Sequence, residues 1–264
     1  MKVWAVSNQK GGVGKTTTVV SLSGLLVKAG YRVLMIDMDP HGSLSAYFKF
    51  NSDENNASIY ELFIEQNNPQ TTIKSLIKTT GIEHLDLIAA SATLVTMEKR
   101  MGNREGMGRI LQQGLKGVVR DYDFVLIDTP PLLGVLLINA LAASDQVLIP
   151  VQTEFLALKG LERMMNTLNM LNKSLGRSLS YTIIPTMFDR RTHASIDTLR
   201  ALRLRFENAV WPSFVPIDTK FRDASKSGIP PAYYMPDSRG LVAYAALLKY
   251  LKPYYVAQAD EIPA

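Results

Sequence analysis

Residues 3–22 read VWAVSNQKGGVGKTTTVVSL, and the order of residue types in this stretch decides the fold. A short apolar run, Val3–Val6, is followed by Gly11, Gly12 and Gly14, and then by a helical pattern from Lys15 to Ala29. Glycines between a strand and a helix let the backbone approach phosphate oxygens with its N–H groups turned inward. The start of the helix adds its positive end. The pattern G-x-x-x-x-G-K-[ST] closes on Gly14-Lys15-Thr16, with Val13 completing the turn. Lys15 can then reach the β- and γ-phosphates, and the Thr16 hydroxyl can ligate Mg²⁺. One position breaks the rule: Gln9 stands where the first glycine belongs, and a second lysine, Lys10, precedes Gly11. The loop's own chemistry does not require that lysine.

The chain has 264 residues, 47% of them hydrophobic, enough to bury a sizeable core, and residues 1–264 are expected to form a single domain. A net charge of +5 permits an anionic partner. With no cysteine there are no disulfides, no thiolate metal sites and no cysteine nucleophile. The start, MKVWAV, leaves no room for a signal peptide, and no apolar run approaches the ~20 residues that span a bilayer. A cytoplasmic protein is the expectation.

Apolar, β-branched runs at Val3–Val6, Val33–Ile36, Phe124–Ile127, Val147–Val151 and Tyr181–Ile184 read as strands buried on both faces. Leu85–Ala89 is a weaker strand, and Phe214–Val215 is expected at an edge. Helical patterns cover Lys15–Ala29, Arg104–Arg120, Leu156–Asn172, Ala194–Glu207 and Arg239–Leu251, and the polar region 51–81 reads as short helices over the sheet. The alternation predicts an α/β fold: a mainly parallel twisted sheet with helices on both faces. Ligands in such sheets sit at the carboxyl ends of the strands.

Two further segments put carboxylates there. LMIDMDPHGS (34–43) places Asp37 and Asp39 at the end of one strand, and FVLIDTPPLLG (124–134) places Asp128 at the end of another. Such carboxylates can hold Mg²⁺, largely through water. Asp37 and Asp39 share one face of an extended chain, so one can serve the metal while the other orients attacking water.

Taken together, these segments resemble the ParA/MinD family of deviant-Walker ATPases over nearly the whole chain. NQKGGVGKTTT (8–18) is similar to the family's signature loop, MIDMDPHGSLS (35–45) to its second motif, and LIDTPPLLGVLLINAL (126–141) and IPVQTEFLALKGL (149–161) to Walker B and the following segment. TMFDRRT (186–192) and SRGLVAYAAL (238–247) resemble its C-terminal half. The resemblance implies ATP and ADP as ligands, Mg²⁺ as cofactor, and a homodimer formed with ATP. It makes Lys10 the signature lysine that crosses to the partner's nucleotide, a cation supplied in trans to the developing charge. It also implies that Asp39 positions water, that Asp37 and Asp128 lie near Mg²⁺, and that Thr17 lies beside the phosphates. The base is placed near Met187 and the Pro216–Asp218 turn, largely against backbone. ATP is favoured over GTP because the near matches to [NT]-K-x-D, NKSL at 172 and TKFR at 219, both lack the aspartate.

Family members differ in partner. A MinD-like membrane helix needs a basic polar face, and the tail LKYLKPYYVAQADEIPA (248–264) has Pro253 and acidic residues instead. ParA proteins bind non-specific DNA through basic residues in the C-terminal half. The candidates here are Arg190 and Arg191, Arg200 and Arg203 on the solvent side of the 194–207 helix, and Lys220 and Arg222; of these Arg191 matches a family position used for that purpose. Contacts of this kind go to phosphates and weaken with salt. Two departures, DPHGS for the common DPQGN and VPIDTKFRDAS (215–225) for the common IPRN segment, look most like the ParC-type subgroup associated with chemotaxis arrays. The expectation is therefore an ATP-driven switch that positions a cytoplasmic cargo, with slow hydrolysis stimulated by a protein partner, at the pole or on the nucleoid. The alternatives are a DNA-partition ATPase and a small-molecule ligase or kinase on the same fold. His41 reads as an ordinary loop residue or as a nucleotide sensor; His84 and His193 lack partners at metal-ligand spacing.

Overall fold

The computed structural model describes residues 1–50, 57–65, 67–101 and 107–256. Its seven strands are β1 (Lys2–Val6), β2 (Val33–Asp37), β3 (Ile77–Ile82), β4 (Leu85–Ile88), β5 (Phe124–Asp128), β6 (Gln146–Gln152) and β7 (Ser180–Thr186). They form one sheet in the order β3-β4-β2-β5-β1-β6-β7, parallel throughout except for the antiparallel β3–β4 edge pair. Among the described residues, seven α-helices precede β6: α1 (Lys15–Lys28), α2 (Ser43–Tyr47), α3 (Ile59–Ile64), α4 (Pro69–Ser75), α5 (Leu94–Met101), α6 (Ile110–Leu115) and α7 (Val135–Ala143). Then come α8 (Ala157–Leu175), α9 (His193–Phe206), α10 (Lys220–Ser227), α11 (Pro231–Tyr234), α12 (Arg239–Leu251) and α13 (Pro253–Val256).

Successive strand residues point to opposite faces, so one continuous apolar run feeds two cores. Leu34 and Ile36 pack with Val125 and Ile127 beneath α3, α4, α6 and α7. Val33 and Met35 pack on the other face with Trp4, Leu126 and residues of α1 and α12. A third cluster joins Val147, Ile149 and Ile183 to α7, α8 and α9. The parallel register brings Val6, Asp37 and Asp128 to one edge, since Val6 pairs with Asp128 and Asp128 with Asp37.

Three expectations are corrected. Region 51–81 does carry helices, α3 and α4, but it ends in strand β3; residues 51–56 lie outside the described set. The run IKTTGI is polar because it lies at the sheet edge, with no residue fully buried. Residues 214–215 form no strand; past β7, Val210 and Pro216 make isolated parallel bridges to Ile183 and Phe188. The long helix expected over 104–120 is, within the described residues, the short α6 flanked by 3-10 turns at 107–109 and 116–118. Gly117 permits this break by approaching α4 closely: a Cβ there would lie 2.2 Å from the Gln70 carbonyl oxygen.

Candidate nucleotide site

The loop between β1 and α1 passes through left-handed backbone at Gly12 (φ 73°) and Gly14 (φ 91°), conformations that favour glycine. The remaining loop contacts account for its non-glycine residues. Gln9 donates to the Thr167 hydroxyl on α8 (2.6 Å), so this position anchors the loop instead of bending it. Asn8 accepts from the Lys10 N–H (3.0 Å) and donates to the Pro150 carbonyl (2.7 Å). The Val13 carbonyl accepts from Thr186 at the end of β7 (2.9 Å).

Around this loop lies a cavity of about 550 Å³ lined by Gly11, Gly12, Gly14, Lys15, Thr16 and Thr17, and on its far rim by Asp39 and His41. Lys15 is buried, with its ammonium 3.3 Å from the Lys10 carbonyl. Burial lowers its pKa, and the carboxylates of Asp128 and Asp39 oppose that shift. The Lys10 ammonium turns away from the cavity, paired with Glu154 at the end of β6 and 3.5 Å from Gln152 Oε1.

Asp37 and Asp128 are both buried. Asp37 Oδ2 accepts from the Ser45 N–H (2.8 Å) and hydroxyl (2.7 Å), and its Oδ1 from the Asp39 N–H (3.1 Å). Asp128 Oδ2 accepts from the Thr16 hydroxyl (2.5 Å), while Oδ1 is buried without a partner. Burial pushes both carboxyls up, and for Asp128 the neighbouring Asp37 charge adds to the shift. A buried acceptor with no donor, a hydroxyl beside it and a second carboxylate form a hard-oxygen set suited to Mg²⁺. Asp39 is partly exposed, and its Oδ1 accepts from both the backbone N–H (3.0 Å) and the ring Nδ1 (2.9 Å) of His41.

A side cavity of about 360 Å³ continues from Thr17 to Met187, Pro216, Asp218 and Tyr244. Met187 holds a left-handed backbone (φ 51°) at the mouth. Both carboxylate oxygens of Asp218 are occupied, by the N–H groups of Lys220 (3.0 Å) and Gly240 (2.9 Å). The Asp218 carboxylate thus ties this turn to the starts of α10 and α12.

The six cations expected to contact DNA fall into separate groups. Arg190, Arg191 and Lys220 line one open cavity of about 840 Å³ together with Arg239, and Arg222 lines the side cavity next to it. Arg191 is bound in bidentate fashion by Asp189 (2.9 and 2.8 Å), which draws that carboxyl down to about 2. Arg200 and Arg203 lie further along α9, Arg200 3.6 Å from Asp197 and Arg203 bonded to the Pro212 carbonyl. Sequence reasoning missed Arg239, Glu154, Ser45 and the His41 contact. Glu154 had a legible signal, a carboxylate at a strand end; the others depend on which loops meet.

Leu132 and Leu133 after β5, and Phe155 and Leu156 after β6, are exposed by 50–86% on the loops that flank the phosphate loop. Among the described residues no helix is long and apolar enough to cross a membrane; the acidic end of the tail, 257–264, lies outside them.

A parallel sheet, a left-handed glycine loop leading into a helix, a buried lysine with a threonine after it, and two buried strand-end aspartates define a P-loop nucleotide-binding protein. A protein-family model described as an AAA domain matches residues 1–181. The chain is 36% identical over 249 residues to the sporulation initiation inhibitor protein Soj of Bacillus subtilis, covering 94% of this chain and 97% of that one. It is 34% identical over 247 residues to the chromosome partitioning protein ParA of Myxococcus xanthus, covering 93% and 86%. The chain belongs to the ParA/Soj family of ATPases. Its fold is also similar to that of cobyrinic acid a,c-diamide synthase from Mycobacterium smegmatis, solved with a bound ATP analogue and magnesium. That match has a TM-score of 0.82 and 30% identity, and covers 100% of this chain and 99% of that one.

Proposed function

We propose that this protein is an ATP-dependent dimerisation switch that engages non-specific DNA and resets by hydrolysing ATP to ADP and phosphate. The observation that carries the reading is the position of Lys10. It sits on the phosphate loop, yet its ammonium is held by Glu154 outside the cavity that loop encloses. A cation that does not serve its own phosphates is available to a partner's. The exposed Leu132, Leu133, Phe155 and Leu156 on the same edge supply apolar area for a second copy.

In this reading the N–H groups of Gly11 to Thr17 and the Lys15 ammonium bind the phosphates, and the base lies between Met187 and the 216–218 turn. Mg²⁺, when bound, would neutralise charge on the phosphates; Thr16, Asp37 and Asp128 would hold it, and the buried, unpartnered Asp128 Oδ1 fits such a role. Asp39 takes a hydrogen bond from the attacking water. The water oxygen bonds to the γ-phosphorus, the bond to the β–γ bridging oxygen breaks with its electrons on ADP, and the water proton leaves through the carboxylate side. Arg190, Lys220 and Arg239 supply the surface for DNA phosphates, with a protein partner stimulating turnover and carrying the cargo.

Of the cargo readings left open by the sequence, the partition relative supports nucleoid-borne partition over chemotaxis clusters at the pole. The likeness to a diamide synthase keeps a small-molecule reading in view, and product analysis separates the two: a switch makes only ADP and phosphate. The main test uses Asp39→Ala with ATP and with ADP. ATP-dependent dimers that bind plain duplex DNA, weaken along a salt series and lose affinity with Arg190→Ala support the proposal. ATP dimers that ignore DNA remove the DNA element, and an Asp39→Ala chain that no longer binds ATP removes the water-positioning role.

A further inference from the structure

We propose that the open cavity of about 840 Å³ between residues 188–191 and 214–220 binds a single strand of nucleic acid, stacking an unpaired base on Phe188 and Phe214 while cations hold its phosphates. The proposal deepens the DNA reading given above. Phe188 and Phe214 come from segments joined through their backbones. The Phe188 N–H donates to the Val215 carbonyl (3.1 Å), and the Ile217 N–H donates to the Phe188 carbonyl (3.2 Å). The two rings lie 4.1 Å apart between centroids, tilted by 34°, and both line the cavity. Both are only partly buried. Neither belongs to, or packs against, the three hydrophobic clusters found among the described residues.

The charges around this aromatic pair sort into those already engaged and those still available. Arg191 is taken by Asp189, and both Asp218 oxygens are taken by backbone N–H groups. The side chains of Arg190, Lys220 and Arg239 have no hydrogen-bond or ion-pair partner among the described residues, and all three are exposed. Asp237 is the carboxylate left to oppose them. Three available cations against one carboxylate favour an anion in this cavity. The aromatic pair adds an apolar surface that a phosphate cannot use.

A duplex cannot use those rings. Its base faces are stacked inside the helix, and only base edges reach the grooves. A single strand can turn a base outward, and stacking on an aromatic ring tolerates any sequence because every base has a π-face. Rings that served only to join the two segments would be replaceable by an apolar side chain of similar volume. A stacking platform needs the flat π-face, so the two roles separate by experiment.

The experiment measures fluorescence anisotropy of a labelled oligo(dT) of about 20 nucleotides and of a duplex of equal length. It uses the full chain with a non-hydrolysable ATP analogue at fixed salt. The strand is expected to bind at least about fivefold tighter than the duplex, although the duplex carries the denser charge. Phe214→Leu and Phe188→Leu should each weaken strand binding at least about fivefold and leave duplex binding within about twofold, whereas Phe214→Trp keeps the strand's advantage. Arg239→Ala should weaken both forms. Equal affinity for strand and duplex overturns the platform, as do Phe→Leu substitutions that leave strand binding unchanged or lower both forms alike. Displacement of the strand by an equal concentration of thymidine monophosphate overturns it too, since the cavity would then hold a free nucleotide. Duplex bound without any preference for the strand sinks this inference alone; a chain that binds neither form removes the DNA element of the proposed function as well.

Discussion

Thr18 and Tyr244 form a buried hydroxyl pair that ties α12 to the phosphate loop, and a double-mutant cycle on it has a calculable outcome. The Thr18 hydroxyl donates to the Gly14 carbonyl (2.8 Å), which spends its only hydrogen, so the Tyr244 phenol must donate to Thr18 Oγ1 (2.8 Å). Both side chains are essentially inaccessible to solvent. Tyr244→Phe removes one bond but orphans nothing essential, because Thr18 keeps Gly14; the expected loss is about 0.5–1.5 kcal/mol. Thr18→Val, nearly isosteric, leaves a buried phenol with no acceptor, at a cost of about 1–3 kcal/mol. The Gly14 carbonyl survives that change because the Thr18 N–H also reaches it (2.9 Å). The double variant has no orphan, so its loss should fall near that of Tyr244→Phe alone, giving an interaction energy equal in size to the Thr18→Val loss, about 1–3 kcal/mol below additivity. The assay is urea unfolding of the four nucleotide-free chains, with thermal midpoints as a check at about 2–4 °C per kcal/mol. Losses that add to within about 0.5 kcal/mol would refute the reasoning.

Asp128→Asn is expected to abolish Mg²⁺-dependent turnover and yet stabilise the nucleotide-free chain at alkaline pH. The native carboxyl, pushed up to about 8 chiefly by burial, holds its proton more tightly than in the unfolded chain. Stability is therefore lost as pH rises from the ordinary carboxylate range through that value. The variant's advantage in thermal melts should be absent near about pH 4 and grow upward; an advantage that does not depend on pH would contradict this. Gly240→Ala places a Cβ 2.4 Å from the Phe221 ring and 3.1 Å from Asp218 Cβ. It should cost about 1–3 kcal/mol by overpacking and weaken ATP binding through the displaced 216–218 turn, both measurable by titration and unfolding.

Much of the site was legible because its chemistry is local in sequence. The glycines, Lys15 and Thr16 must be adjacent in the chain to make a loop and a helix start, and Asp37 and Asp128 announce themselves as charges closing apolar strands. Strand runs buried on both faces are equally plain. Weakly apolar elements were harder: β3 is polar because it is an edge, and the 107–118 segment breaks because Gly117 meets the α4 backbone, a contact invisible to periodicity.

The sequence by itself therefore determined the phosphate loop, the parallel sheet and the strand-end carboxylates. Only the tertiary structure decided what the remaining charges do. Register brings Asp37 and Asp128 together in one buried pair and leaves Asp128 Oδ1 without a donor. The meeting of β1 and β6 gives Lys10 its Glu154, and the meeting of loops 187–191 and 216–220 gathers Arg190, Lys220 and Arg239 on one cavity. A charge acts on what lies within a few ångströms of it, and those neighbours are set by chain segments far apart in sequence.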